Sequence, residues 1–134
     1  YGEGCILDVR GEPVIGMKER YRSQIKEESI VFFYTGWDQK YGSPEYFTEQ
    51  PEIDPELAEF IISRKTKIIG IDLASPDRPP FKVHRMLLEE GVLILENLTN
   101  LAALLEPERF EVMAFPLKIK ADSSSLRVVA KVNL

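Results

Sequence analysis

Apolar residues along this chain fall into short runs separated by turn-forming clusters. Cys5-Ile6-Leu7-Asp8-Val9 is brief and mostly apolar, is closed by Gly11-Glu12-Pro13, and reads as a strand. Ile30-Val31-Phe32-Phe33-Tyr34 is continuous, β-branched and aromatic, and is bounded by Gly36, the pattern of a strand buried on both faces. Ile68 to Ile71, ending in Asp72, and Val92 to Leu95, followed by Glu96-Asn97, give two more strands. Phe110 to Lys120 and Leu126 to Val132 predict two long strands around a Ser123-Ser124-Ser125 turn.

Between these runs the period changes. Asp54-Pro55-Glu56 is a helix start: Asp54 can accept free amide hydrogens, Pro55 suits the first helical position, and Glu56 suits the dipole. Leu57, Phe60 and Ile61 then fall at i, i+3 and i+4 and predict one buried face. Val83 to Glu90 predicts a short helix stopped by Gly91, and Leu98 to Leu105 a further helical segment. Met17 to Glu28 is charged and weakly periodic, a turn or short helix. Trp37 to Pro51 reads as a long ordered loop, and Ala74 to Pro80 can be neither helix nor central strand. The order β, β, α, β, α, β, α, β, β implies parallel pairs in the middle and an antiparallel hairpin at the end. The predicted fold is a mixed α/β domain, one mixed sheet flanked by helices.

Composition narrows the functional classes. The 134 residues fit one domain, 1–134, and 44% hydrophobic with 29% charged residues is a globular balance. Seventeen basic against 22 acidic residues give a net charge of −5, and no basic stripe supports nucleic-acid binding. No apolar stretch approaches the roughly 20 residues of a membrane span. A single cysteine, Cys5, excludes an internal disulfide and a thiolate-rich zinc site, and fits a reducing, cytoplasmic setting.

Ligands in open α/β sheets sit beyond the carboxyl ends of strands. The residues there include Trp37 and Asp38 after the second strand, Asp72, Ser75 and Asp77 after the third, and Glu96, Asn97 and Asn100 after the fourth. His84 is the only histidine. From His84 to the end of its helix is about 9 Å, and Gly91 reverses the chain. The strand from Val92 to Glu96 then runs back about 13 Å. His84 and Glu96 are therefore expected to meet at the edge that carries Asp72 and Asp77. An imidazole with carboxylates suits zinc or manganese, but a catalytic zinc takes three protein ligands, so the chain holds part of a site. Each residue also has a plainer reading. Asp72, Ser75 and Asp77 can be turn formers, Asn97 and Asn100 helix caps, and Trp37 a core residue.

Several motifs resemble one family. Tyr34-Thr35-Gly36-Trp37-Asp38 resembles the "TGWD" of the cyclase-like metal-dependent hydrolases, the family of bacterial kynurenine formamidase and isatin hydrolase. Gly70 to Asp77 resembles its "GIDtpSxD" loop, His84 with Leu87-Leu88 its "H..LL", Glu96 to Leu101 its "ENLTNL", and Phe115 to Ile119 its "xPLKI". Arg127 is kept from "GSPxR", where Ser123-Ser124-Ser125-Leu126 replaces the rest.

The resemblance implies a swivelling β/β/α-type domain. It also implies a hydrolase with a divalent metal, zinc first and manganese second, that opens the amide of an N-formyl aromatic amine or a cyclic amide. It places metal ligands on His84 and Glu96. Trp37, Asp72, Ser75, Asp77, Asn97 and Asn100 would then line the substrate pocket or support the ligands. The family's "HxGTHxDxPxH", with most ligands and the proton-shuttling histidine, lies upstream of every motif found here. Residues 1–134 are accordingly expected to be the C-terminal portion of a family member, without that N-terminal metal motif and weak or inactive alone. Self-association into a homo-oligomer is also expected. A non-enzymatic oligomerisation or ligand-binding module on the same fold is the alternative.

Overall fold

The computed structural model describes Tyr1 to Val132. A six-stranded sheet organises the chain, built from β1 (Gly2–Asp8), β3 (Ile30–Tyr34), β5 (Ile68–Ile71), β6 (Leu93–Leu95), β7 (Phe110–Pro116) and β8 (Leu126–Val132) in the order β6-β5-β3-β1-β7-β8. The pairs β1–β3, β3–β5 and β5–β6 are parallel, while β1–β7 and β7–β8 are antiparallel. This is the mixed α/β sheet that the order of runs implies. Every residue of β3 and of β5 is buried, as continuous apolar runs at the sheet centre require.

One face of the sheet packs on α3 (Pro55–Ser63) and α4 (Lys82–Glu89) through Leu57, Ala58, Ile61, Val83 and Leu87. Asp54 caps α3 by accepting the Glu56 N–H at 2.8 Å, and Pro55 takes the first helical position. The predicted buried face differs at one of its three residues: Leu57 and Ile61 are buried, but Ala58 is fully buried in place of Phe60, which is only partly so. The other face carries Ile30, Phe32, Leu95, Phe110 and Val112, covered by Leu101 and Leu104.

Four expectations change. Trp37 to Pro51 is not a plain loop: it folds into a 3-10 turn (Trp37–Lys40) and α2 (Pro44–Thr48). Leu98 to Leu105 forms only one 3-10 turn, Leu101–Leu104, because Asn97 and Asn100 have left-handed φ values of 56° and 62° that interrupt a helix. β7 stops at Pro116, whose missing N–H ends the ladder, and not at Lys120. A second sheet joins β2 (Val14–Ile15) to β4 (Glu52–Ile53), strands too short to leave a periodic signal. The remaining helix, α1 (Tyr21–Gln24), is the short one expected within Met17 to Glu28. No helix among the described residues is long and apolar enough to cross a membrane.

Cys5 lies half-buried in β1, and burial pushes its thiol up to about 11. The smaller thiolate fraction is offset in part by the greater nucleophilicity of a more basic thiolate, so iodoacetamide at pH 8 should label native Cys5 at least about 10-fold more slowly than the urea-unfolded chain. Equal rates by mass spectrometry would contradict its burial.

Candidate metal and substrate site

The carboxyl ends of β3, β5 and β6 meet at one edge, and this is where the polar side chains collect. Asp72 ends β5 and is fully buried. Its Oδ1 accepts the Thr35 N–H at 3.0 Å and the Thr35 hydroxyl at 2.7 Å, and its Oδ2 accepts the Gly36 N–H at 2.7 Å. Asp72 therefore clamps the loop after β3 to the end of β5. Burial raises its pKa and the bonds from Thr35 and Gly36 lower it, with burial the larger effect.

Asp77 works in the same way one turn further on. Its Oδ2 accepts the Val83 N–H at 2.7 Å, satisfying a free amide at the start of α4, while its buried Oδ1 has no hydrogen-bond partner among the described residues. That cap orients α4, and α4 carries His84. The ring Nδ1 of His84 lies 3.8 Å from Glu96 Oε1 and 3.4 Å from the Ser75 hydroxyl. The expected approach of His84 and Glu96 is therefore present. Glu96 Oε1 is buried with no hydrogen-bond partner among the described residues, and burial raises the carboxyl's pKa against the lowering effect of His84. A Ser75–His84–Asp72 relay is not formed, because the Asp72 carboxylate is taken up by Thr35 and Gly36.

Asn97, next to Glu96, accepts the Tyr46 hydroxyl at 2.9 Å. Burial first, then the nearby Asp72 carboxylate, pushes that phenol up to about 12, so it stays a donor. The Trp37 indole N–H donates to the Tyr46 carbonyl at 3.2 Å, and the Lys40 ammonium lies 3.9 Å over the indole ring. Trp37 is half-buried against the core and supports Tyr46. Asn100 is exposed and opens the 3-10 turn without a side-chain capping bond.

Two residues that sequence reasoning passes over matter here. Tyr46 holds Asn97 across 51 positions of sequence. Buried Gln50 fixes the Ala74–Ser75 backbone, accepting from the Ala74 N–H at 3.0 Å and donating to the Ser75 carbonyl at 2.9 Å. An aromatic loop gives no sign of the first, and a lone glutamine none of the second.

The donor chemistry suits a divalent metal in part. An imidazole nitrogen faces a carboxylate oxygen that lacks any other partner, which is the state of a ligand pair. Among the described residues, no group of three or more His, Cys, Asp or Glu side chains gathers to complete a metal site. Glu96, Asn97 and Asn100 also line one end of an open groove of about 910 Å³, which continues between the 3-10 turn and β8.

The model of the Cyclase family, described as "Putative cyclase", matches residues 1–78. The chain belongs to the Cyclase family. An uncharacterised protein of Methanocaldococcus jannaschii is 34% identical over 117 residues, covering 87% of this chain and 61% of the relative. The kynurenine formamidase of Geobacillus thermodenitrificans is 30% identical over 97% of this chain and 62% of its own length. The chain thus spans about three-fifths of the curated relatives it matches. Isatin hydrolase A from Ralstonia solanacearum superposes with a TM-score of 0.84 at 22% identity, covering 98% of this chain and 60% of that one, a likeness of fold.

Proposed function

We propose that this Cyclase-family chain is the C-terminal portion of a metal-dependent amide hydrolase and supplies two ligands, His84 and Glu96, to a divalent metal. The observation that carries this reading is the buried, unpartnered Oε1 of Glu96 facing His84 Nδ1 at 3.8 Å. A buried carboxylate oxygen left without a donor is costly in a purely structural role. Zinc is the first candidate and manganese the second. When bound, the metal would polarise the substrate carbonyl and favour attack by water.

This chain's own residues do the supporting work. Asp77 orients the helix that carries His84, Tyr46 holds Asn97 beside Glu96, and Asp72 fixes the turn that carries Trp37. The substrate class is a small amide, an N-formyl aromatic amine or a cyclic amide, in keeping with relatives named kynurenine formamidase and a fold neighbour named isatin hydrolase. Trp37, Ser75 and Asn100 are the pocket side chains. The remaining ligands and the proton-shuttling histidine come from outside residues 1–134, so the chain alone turns over weakly or not at all. We place the protein in the cytoplasm as a homo-oligomer.

Metal analysis of this chain joined to the segment that carries the remaining ligands tests this. Near one equivalent is expected, with His84→Ala or Glu96→Ala weakening binding by about 100-fold or more. The second reading is a non-enzymatic oligomerisation or ligand-binding module on the same fold. No bound metal, with both variants as stable as the parent, would favour that module and defeat the metal site.

A further inference from the structure

β7 and β8 extend beyond the sheet that anchors them. β1 pairs with β7 at Gly2–Val112 and Glu3–Glu111, so from Met113 outward, among the described residues, β7 has β8 as its partner and no other strand. A two-stranded ribbon alone is marginally stable in water. This one carries Phe115, Leu117 and Ile119 at its tip, 61%, 58% and 58% exposed. Its charge is also unlike that of the rest of the molecule. Residues 113–132 hold Lys118, Lys120, Arg127 and Lys131 against Asp122, a net +3. With −5 overall, the remainder carries −8. Among the described residues none of those four cations is in an ion pair.

The complement lies on the same molecule. The wall of the groove opposite β8 is built by Leu104 and Pro107, with exposed Leu105, Glu106 and Glu108 beside them. An apolar surface edged by carboxylates matches a tip of three apolar side chains interleaved with lysines.

We propose that the β7–β8 arm of one copy docks, through Phe115, Leu117 and Ile119, onto the Leu105–Glu108 wall of a second copy of this chain. Lys118 and Lys120 then face Glu106 and Glu108. The inference rests on the self-association proposed above and names its surface.

Charge-reversal complementation tests the pairing in sedimentation velocity. The parent chain should dimerise. An arm variant, Lys118→Glu with Lys120→Glu, and a wall variant, Glu106→Lys with Glu108→Lys, should each dimerise at least about 10-fold more weakly, because like charges then meet. Mixed together, the two variants should restore a one-to-one dimer, since both contacts are again opposite in charge. All these positions are exposed, and unchanged thermal midpoints would show that folding is intact. A parent that stays monomeric would overturn both self-association and this surface. Dimers equally strong in both variants would keep self-association and overturn the surface. A monomer that binds anionic phosphatidylserine vesicles through the same lysines would overturn it in favour of a lipid partner.

Discussion

Asp72→Ala is expected to remove about 3–5 kcal/mol of stability, close to the whole margin of many domains of this size. The buried carboxylate takes three donors at once: the Thr35 N–H, the Thr35 hydroxyl and the Gly36 N–H. Alanine leaves all three without a partner at a position closed to water. Asp72→Asn keeps the volume and one acceptor oxygen, and should cost only about 1–2 kcal/mol at pH 7. Part of that loss is offset because the amide carries no charge to bury. The pH dependence has a definite sign. Burial raises the folded-state pKa of Asp72 above the unfolded value of about 3.9. Its contribution is therefore fully present below about pH 3.9 and is lost as the pH rises through the folded-state value. The gap between the parent and Asp72→Asn should thus be wider at pH 4 than at pH 7 in urea titrations. A gap that widens toward neutral pH would mean that the Thr35 and Gly36 hydrogen bonds outweigh burial.

Much of this edge is legible in the sequence, for reasons that lie in particular residues. The run Ile30 to Tyr34 has no polar position, and a strand of that kind must sit where both faces are covered. Asp54-Pro55-Glu56 specifies a helix start within a few residues, and it forms as written. The meeting of His84 and Glu96 follows from a helix, a glycine stop and a parallel strand, whose lengths fix where the chain returns. What was not legible depends on contacts far apart in sequence or on backbone choices without a period. The Tyr46–Asn97 bond joins two segments that share no pattern. The left-handed turns at Asn97 and Asn100 override an apolar spacing that would otherwise continue a helix from Leu98. Two-residue strands at Val14–Ile15 and Glu52–Ile53 are shorter than any repeat that could announce them. The roles of Asp72 and Asp77 fall between. Their place at strand ends follows from the sequence, but both spend hydrogen-bonding capacity on backbone amides, which makes them supports of the edge.

Gly70→Ala should cost about 3 kcal/mol, at the upper end of the usual penalty for overpacking a core. Gly70 stands directly opposite Phe32 in the parallel ladder, and the Phe32 ring lies over it. A Cβ added there would come within 2.3 Å of Phe32 Cδ1, 2.5 Å of Cε1 and 2.7 Å of Leu98 Cδ1. The ring has little room to yield, because Phe32 is 1% exposed and stacks on Phe110 at 6.3 Å. The cost is steric and falls chiefly on the ring, so a double-mutant cycle can isolate the ring's share. Phe32→Leu alone leaves a void, and Gly70→Ala alone creates a clash. Combined, the alanine methyl occupies space the ring has vacated, and a favourable coupling of about 1–3 kcal/mol is expected from denaturant midpoints. Gly91→Ala provides the contrast. Its φ of +77° is left-handed and no atom lies within 4 Å of the added Cβ, so it should cost only about 1 kcal/mol, with no coupling to Phe32. Additive effects of Gly70→Ala and Phe32→Leu would mean the ring is not what excludes a side chain at Gly70. Because the Gly70 Cβ also meets Leu98, two residues after Glu96, the clash presses on the segment that holds the candidate ligand. Gly70→Ala should therefore weaken metal binding in the folded population, and Phe32→Leu, which leaves the Leu98 contact in place, should recover stability more than metal binding.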